Sequence, residues 1–214
     1  VDGACGTNLQ EMEIPPQAWD GREGCNEILN LTAPEVITTL HRNFVEAGAM
    51  VLETNTFGAS RIVLEEYGLQ DQVAAINQAA VANARSAING KANTYVAGSI
   101  GPGTKLPSLG HISVDALSQA YEEQIEALLQ AGVDLLIIET CQDLLQTKTA
   151  LVTCFATLER LHKQLPVLAS ITIERTGTML VGTDIAAAAA TFEPFPIFSF
   201  GLNCATGPVD MESH

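Results

Sequence analysis

The sequence predicts an α/β protein built on a parallel sheet of the (β/α)8 TIM-type barrel, and three observations carry that expectation. Short, almost wholly apolar runs recur between amphipathic segments, and such runs must be covered on both faces, as strands of a parallel sheet with helical crossovers are. Asp2, Glu53, Glu139 and Cys204 stand where these runs end, and barrels place their functional groups at the carboxyl ends of several strands. No G-x-G-x-x-G or G-x-x-x-x-G-K loop occurs, whereas a doubly wound nucleotide-binding sheet usually shows one after its first strand. About six βα units fit, so the expectation is one domain over residues 1–214, a barrel incomplete (truncated) at its C-terminus.

Val1 and Asp2 read as the end of a first strand, and Gly3-Ala4-Cys5-Gly6-Thr7 as a turn whose amides can face an anion. Residues 8–31, with Pro15, Pro16, Gly21 and Gly24, read as a long loop. Thr32-Ala33-Pro34-Glu35 matches a capping box with Thr32 as N-cap, and Val36, Ile37, Leu40, Phe44 and Val45 follow at helical spacing until Gly48. The second strand, Met50-Val51-Leu52, runs into Glu53-Thr54-Asn55-Thr56-Phe57-Gly58. A helix over 71–89 leads to a strand over 94–100 and the turn Gly101-Pro102-Gly103. A helix over 113–132 leads to the apolar run 135–138, then Glu139-Thr140. Ala47-Gly48 before Glu53-Thr54 and Ala131-Gly132 before Glu139-Thr140 are thus one unit twice: helix, glycine stop, apolar strand, Glu-Thr. A helix over 145–163, a strand over 167–173 and an alanine-rich helix over 183–191 precede a sixth strand that ends at Cys204, where Gly207-Pro208 stops the pairing.

Composition narrows the function classes. The formal charge is −15, with only ten Lys and Arg, which argues against nucleic acid and anionic membrane as partners, since both are held by clustered cations. No run approaches the roughly eighteen apolar residues of a membrane span. Five cysteines, at 5, 25, 141, 154 and 204, include no C-x-x-C pair; their odd number fits a reducing compartment, and the cytoplasm is the expected location. A free cysteine is most often a small core hydrophobe. Cys204 has a second reading, because a rigid strand end opened by a Gly-Pro turn presents a ligand or nucleophile. His41 and His111 stand alone and read as helix-surface and loop residues.

Together, Asp2-Gly3-Ala4-Cys5-Gly6-Thr7, Glu53-Thr54-Asn55-Thr56-Phe57-Gly58, Ala97-Gly98-Ser99-Ile100-Gly101-Pro102, Ile138-Glu139-Thr140 and Gly201-Leu202-Asn203-Cys204-Ala205 resemble the homocysteine S-methyltransferase family, in order and along the whole chain. The wording of Thr104-Lys105-Leu106-Pro107-Ser108-Leu109-Gly110-His111, Glu139-Thr140-Cys141-Gln142-Asp143 and Leu180-Val181-Gly182-Thr183-Asp184 is most similar to the N-terminal homocysteine-binding domains of cobalamin-dependent methionine synthases.

That resemblance implies a cytoplasmic enzyme that binds homocysteine, activates its thiol on zinc and receives a methyl group from methylcobalamin. Cys204 matches one zinc ligand; the others, an adjacent Cys-Cys pair, would lie outside this chain, as would the cobalamin- and folate-binding domains. Asp2 and Glu139 would hold the substrate ammonium, Gly6 and Thr7 its carboxylate, and Glu53 and Asn55 would line the pocket or brace its loops. Cys5 stands where relatives often carry Met and reads as packing. Alternatives stay open: zinc on Cys5, Cys141 and Cys204; betaine or S-methylmethionine as donor; or a non-catalytic barrel fragment that self-associates. With one matched ligand, the fragment alone is expected to be inactive.

Overall fold

Five parallel strands form the sheet of the computed structural model, which describes residues 1–212; Ser213 and His214, the end of the polar tail, lie outside the described residues. They are β1 (Val51–Glu53), β2 (Tyr95–Ile100), β3 (Leu135–Cys141), β4 (Val167–Ile171) and β5 (Ser199–Leu202), paired in that order. The order has no reversal, so there is no switch point of the kind a doubly wound sheet uses to bind ligands. The expected six strands are therefore five. The chain start contributes one ladder-like bond, from the Asp2 N–H to the Val51 carbonyl (2.8 Å), before Cys5 begins a helix.

The helices are α1 (Cys5–Glu11), α2 (Leu29–Thr32), α3 (Pro34–Glu46), α4 (Arg61–Glu65), α5 (Val73–Ile88), α6 (Val114–Ala131), α7 (Leu144–Arg160), α8 (Ile185–Phe192) and α9 (Pro208–Met211). The larger ones pack in sequence, α3 on α5, α5 on α6, α6 on α7 and α7 on α8. Gly98 of β2 marks the face they cover, since a Cβ there would meet Leu128 of α6 at 3.0 Å. By the two-residue period of a strand, Val96 and Ile100 share that face, where they join the core with Leu52, Leu136 and Ile138. Glu53, Ala97, Ser99 and Glu139 fall on the opposite face. Side-chain oxygens of Ser113, Asp143 and Asp184 cap α6, α7 and α8. Gly48 and Gly132, the stops of the repeated unit, both adopt positive φ, at 103° and 86°.

Two local readings are corrected. Residues 8–31 hold most of α1, two 3-10 turns (Pro16–Trp19 and Asn26–Ile28) and most of α2 rather than a long loop. Their apolar residues lack a period because they divide between two small clusters: Leu9 and Leu29 pack with Ile37 and Leu40 of α3, and Cys25 and Ile28 with Leu64 of α4 and Ile76 of α5. Thr32 does not cap α3. It ends α2, and its hydroxyl bonds the carbonyls of Ala18 (2.5 Å) and Ile28 (3.1 Å), so α3 starts from Ala33 without a side-chain cap and with Pro34 in its first turn. No described helix is long and apolar enough to cross a membrane, and all five cysteines are free.

Candidate functional site

At the carboxyl ends of the strands, the polar face of the sheet opens into a cavity of about 290 Å³. Asp2, Gly6, Glu53, Asn55, Glu139 and Cys204 all line it, although they come from the chain start, α1, β1, β3 and the end of β5. Thr7 does not. The stretch read as a Gly6-Thr7 turn is the first turn of α1, which leaves Gly6 on the cavity and the Thr7 side chain exposed.

The inner wall is acidic. Asp2 accepts the Glu53 N–H on both carboxylate oxygens (3.1 and 3.1 Å), so it closes the free edge of β1 as well as facing the cavity. Burial pushes its carboxyl up to about 6, with the Glu53 amide opposing. Burial pushes Glu53 further, to about 8, aided by the nearby charges of Glu139 and Asp2. Glu139 is raised by burial and steadied by the Ser99 hydroxyl, which donates to it at 2.6 Å. Glu27, deeper still, is raised by burial and accepts the Gly58 N–H at 2.7 Å; a Cβ on Gly58 would come within 2.8 Å of that carboxylate. Four carboxyl groups therefore share a cavity lined by no Lys or Arg. Such a wall either keeps protons or takes a cation.

Three residues missed by sequence reasoning complete this wall. His41, expected on a helix surface, is buried at 1 % exposure, with Nδ1 4.0 Å from Asp2. It follows Leu40 on the apolar side of α3, and that position was the available signal. Glu27 was hidden in the supposed loop. Ser99 stood in a quoted motif without an assigned role. Cys5, read as packing, lines the cavity with Sγ 3.5 Å from Asn55 Oδ1, and burial beside Glu27 pushes its thiol up to about 12. Asn55 itself braces the loops, donating to the Asn26 carbonyl at 2.8 Å.

The outer rim is built from backbone geometry. Cys204 is exposed and adopts φ 60°, Ala205 follows at 48°, and Thr140 has φ 58°. Asn203 holds Thr140 and Cys204 together. Its Oδ1 accepts the Thr140 N–H (3.1 Å) and the Ser170 hydroxyl (2.8 Å), while Nδ2 donates to Thr140 Oγ1 (2.7 Å) and Cys204 Sγ (3.4 Å). The ends of β3, β4 and β5 are thereby tied at one amide.

The zinc ion implied by the resemblance needs three or more protein ligands in nearly all sites. Among the described residues, no three His, Cys, Asp or Glu side chains are grouped to hold a metal. Cys141 lies in the helix-covered core, so the set Cys5, Cys141 and Cys204 does not form. Cys204 is a single donor at the rim, and the described residues do not make a metal centre by themselves.

Known proteins place this geometry in context. A family described as homocysteine S-methyltransferase matches residues 1–214. Methionine synthase of Mycobacterium tuberculosis (strain ATCC 25618 / H37Rv) is 45% identical over 217 aligned residues, and that of Mycobacterium leprae (strain TN) 44%. Each match covers 100% of this chain, which spans 18% of the relative's length. The metallated form of the homocysteine methyltransferase MmuM from Escherichia coli superposes with a TM-score of 0.75 at 24% identity, over 95% of this chain and 73% of that one. That likeness is one of fold.

Proposed function

The chain belongs to the homocysteine S-methyltransferase family, and from that premise we propose that residues 1–214 form the homocysteine-binding part of a cytoplasmic methionine synthase, on an arc of a (β/α)8 barrel. The observation that carries this reading is the convergence of Asp2, Glu53, Glu139 and Cys204 on one cavity with an acidic inner wall and a thiol at its rim.

The amino-acid head enters first. Its ammonium goes to Asp2 and Glu139, with Glu53 behind them, because these buried carboxyls have no protein cation to pair with among the lining residues. Its carboxylate goes to the Gly6 side of the cavity; Thr7 can assist only through its backbone. The side chain then reaches outward and sets the sulfur near Cys204 and Thr140. Methyl transfer forms one bond, sulfur to methyl carbon, and breaks one, methyl carbon to donor, whose electron pair stays with the donor; the thiol proton must leave first, to solvent at the open rim, since the thiolate is the nucleophile. The donor arrives from outside this chain, and methylcobalamin, served by cobalamin- and folate-binding domains, is the donor the resemblance implies. Cys204 would supply one ligand to a zinc ion completed from elsewhere, and that ion would favour the thiolate.

The test is calorimetric titration of homocysteine into the natural chain that carries these residues, with methionine formation followed from methylcobalamin. Binding and turnover are expected in the wild type. Cys204→Ser should keep the fold and binding of the amino-acid head while losing turnover and any bound zinc. Residues 1–214 alone should bind weakly and not turn over. Failure of the wild type to bind homocysteine overturns the proposal.

A further inference from the structure

His41 is the buried polar side chain that the site described so far leaves unexplained. Its side chain is 2 % exposed, and neither Nδ1 nor Nε2 has a hydrogen-bond partner. Buried polar groups are almost always paired, so an orphan beside a ligand cavity calls for a cause. The ring lines the cavity from α3, between Leu40 and Phe44. Its Nδ1 stands 4.0 Å from Asp2 Oδ2, just outside hydrogen-bond range, and the Asp2 carboxylate is anchored by backbone amides, that of Glu53 and its own. Site hydrogen bonds are often long in the ligand-free state and tighten when the ligand is bound.

We propose that His41 is a positioning residue for the ammonium subsite: its ring N–H closes onto Asp2 when Asp2 takes the substrate ammonium, and so holds that carboxylate ionised and aimed. This inference rests on the proposed homocysteine site. A neutral ring suits the task, having one N–H to give, and burial keeps His41 neutral by lowering it to about 4. The other titratable groups on the cavity are Glu53 from β1, Glu139 from β3, Glu27 from the 3-10 turn before α2, Cys5 from α1 and Cys204 at the rim. None of them is a cation. Off the cavity, the Val1 ammonium attracts the Asp2 carboxylate; Glu139 repels it, and a neutral donor on the cavity side adds a directed hydrogen bond to that balance.

A double-mutant cycle in the natural chain tests it, with homocysteine as the probe. His41→Phe should weaken homocysteine about tenfold, as loss of a residue that orients a binding group does, and His41→Asn, which keeps an N–H near the Nδ1 position, should restore most of the loss. In the Asp2→Asn background, His41→Phe should cost nothing further, because the residue it acts through is already neutral. Equal losses in both backgrounds would make His41 a packing residue, and so would His41→Asn behaving as His41→Phe; either result overturns the proposal. Should the wild type not bind homocysteine, the site reading fails and this inference falls with it, whereas binding without His41–Asp2 coupling overturns this inference alone.

Discussion

The two ends of the cavity are made in different ways. At the inner wall, ordinary backbone carries unusual electrostatics: Asp2, Glu53 and Glu139 sit with their carboxyls raised by burial and by one another. At the rim, an exposed thiol sits on unusual backbone, with Thr140, Cys204 and Ala205 all left-handed and the first two pinned by Asn203. Desolvation prepares the first end for a cation. Strain held by hydrogen bonds prepares the second to aim a side chain, and strain of this kind persists only where its surroundings over-determine it.

The largest expected break of this contrast is at Glu139. Glu139→Gln keeps the shape and the Ser99 contact but removes the charge, and should weaken homocysteine by roughly 10- to 100-fold, the range of a charge-assisted hydrogen bond. Calorimetric titration checks it, and an unchanged affinity would show that the wall does not carry the ammonium.

The pH dependence of stability sharpens the same end. Asp2 and Glu53 have folded values near 6 and 8, above their ordinary 3.8 and 4.5. Between those limits these two groups bind more protons in the folded than in the unfolded chain, so their contribution to stability is full below about pH 4, is lost as pH rises toward 8 and levels off beyond. The fall should be on the order of a few kcal/mol. Denaturant midpoints of the ligand-free protein at pH 5, 6, 7 and 8 measure it, and Glu53→Gln should flatten the slope. A midpoint that rises with pH in this window would contradict the acidic wall.

At the rim, Asn203→Ala removes four hydrogen bonds and orphans the Thr140 amide, with an expected cost of about 2 kcal/mol in unfolding free energy. Asn203→Asp should recover only the Oδ1 half of the network. The smallest effect is expected at Thr140→Gly, where relief of a left-handed residue, about 1 kcal/mol, opposes loss of the bond from Asn203. A net change within about 1 kcal/mol in either direction fits this balance; a larger loss would mean that the hydroxyl, not the backbone, holds the rim.

Much of this could be read from the residues in order. Apolar runs between amphipathic segments, two of them behind the glycine stops Gly48 and Gly132, marked β1 to β5 and the long helices. Strand-end position singled out Glu53, Glu139 and Cys204. What was misread shares a physical cause. Residues 8–31 bury their apolar side chains in two small clusters, one against α3 and one against α4 and α5, contacts that no local period reports. Thr32 matched a capping pattern, yet its hydroxyl found the Ala18 carbonyl fourteen residues away. His41 looked like a surface residue because the wall it faces is assembled from the chain start and β1.

By itself, the sequence determined a parallel α/β sheet and membership of the homocysteine S-methyltransferase family, since periodicity and strand-end residues are properties of short segments. Only the tertiary structure decided that the chain start adds one bond rather than a strand, that Thr7 faces away while Gly6 lines the cavity, and that His41 stands unpaired beside Asp2. It also set the raised carboxyls of the wall and the amide clamp on the rim. These depend on which distant groups exclude water from one another, and water exclusion is decided when the strands and helices pack, not along the chain.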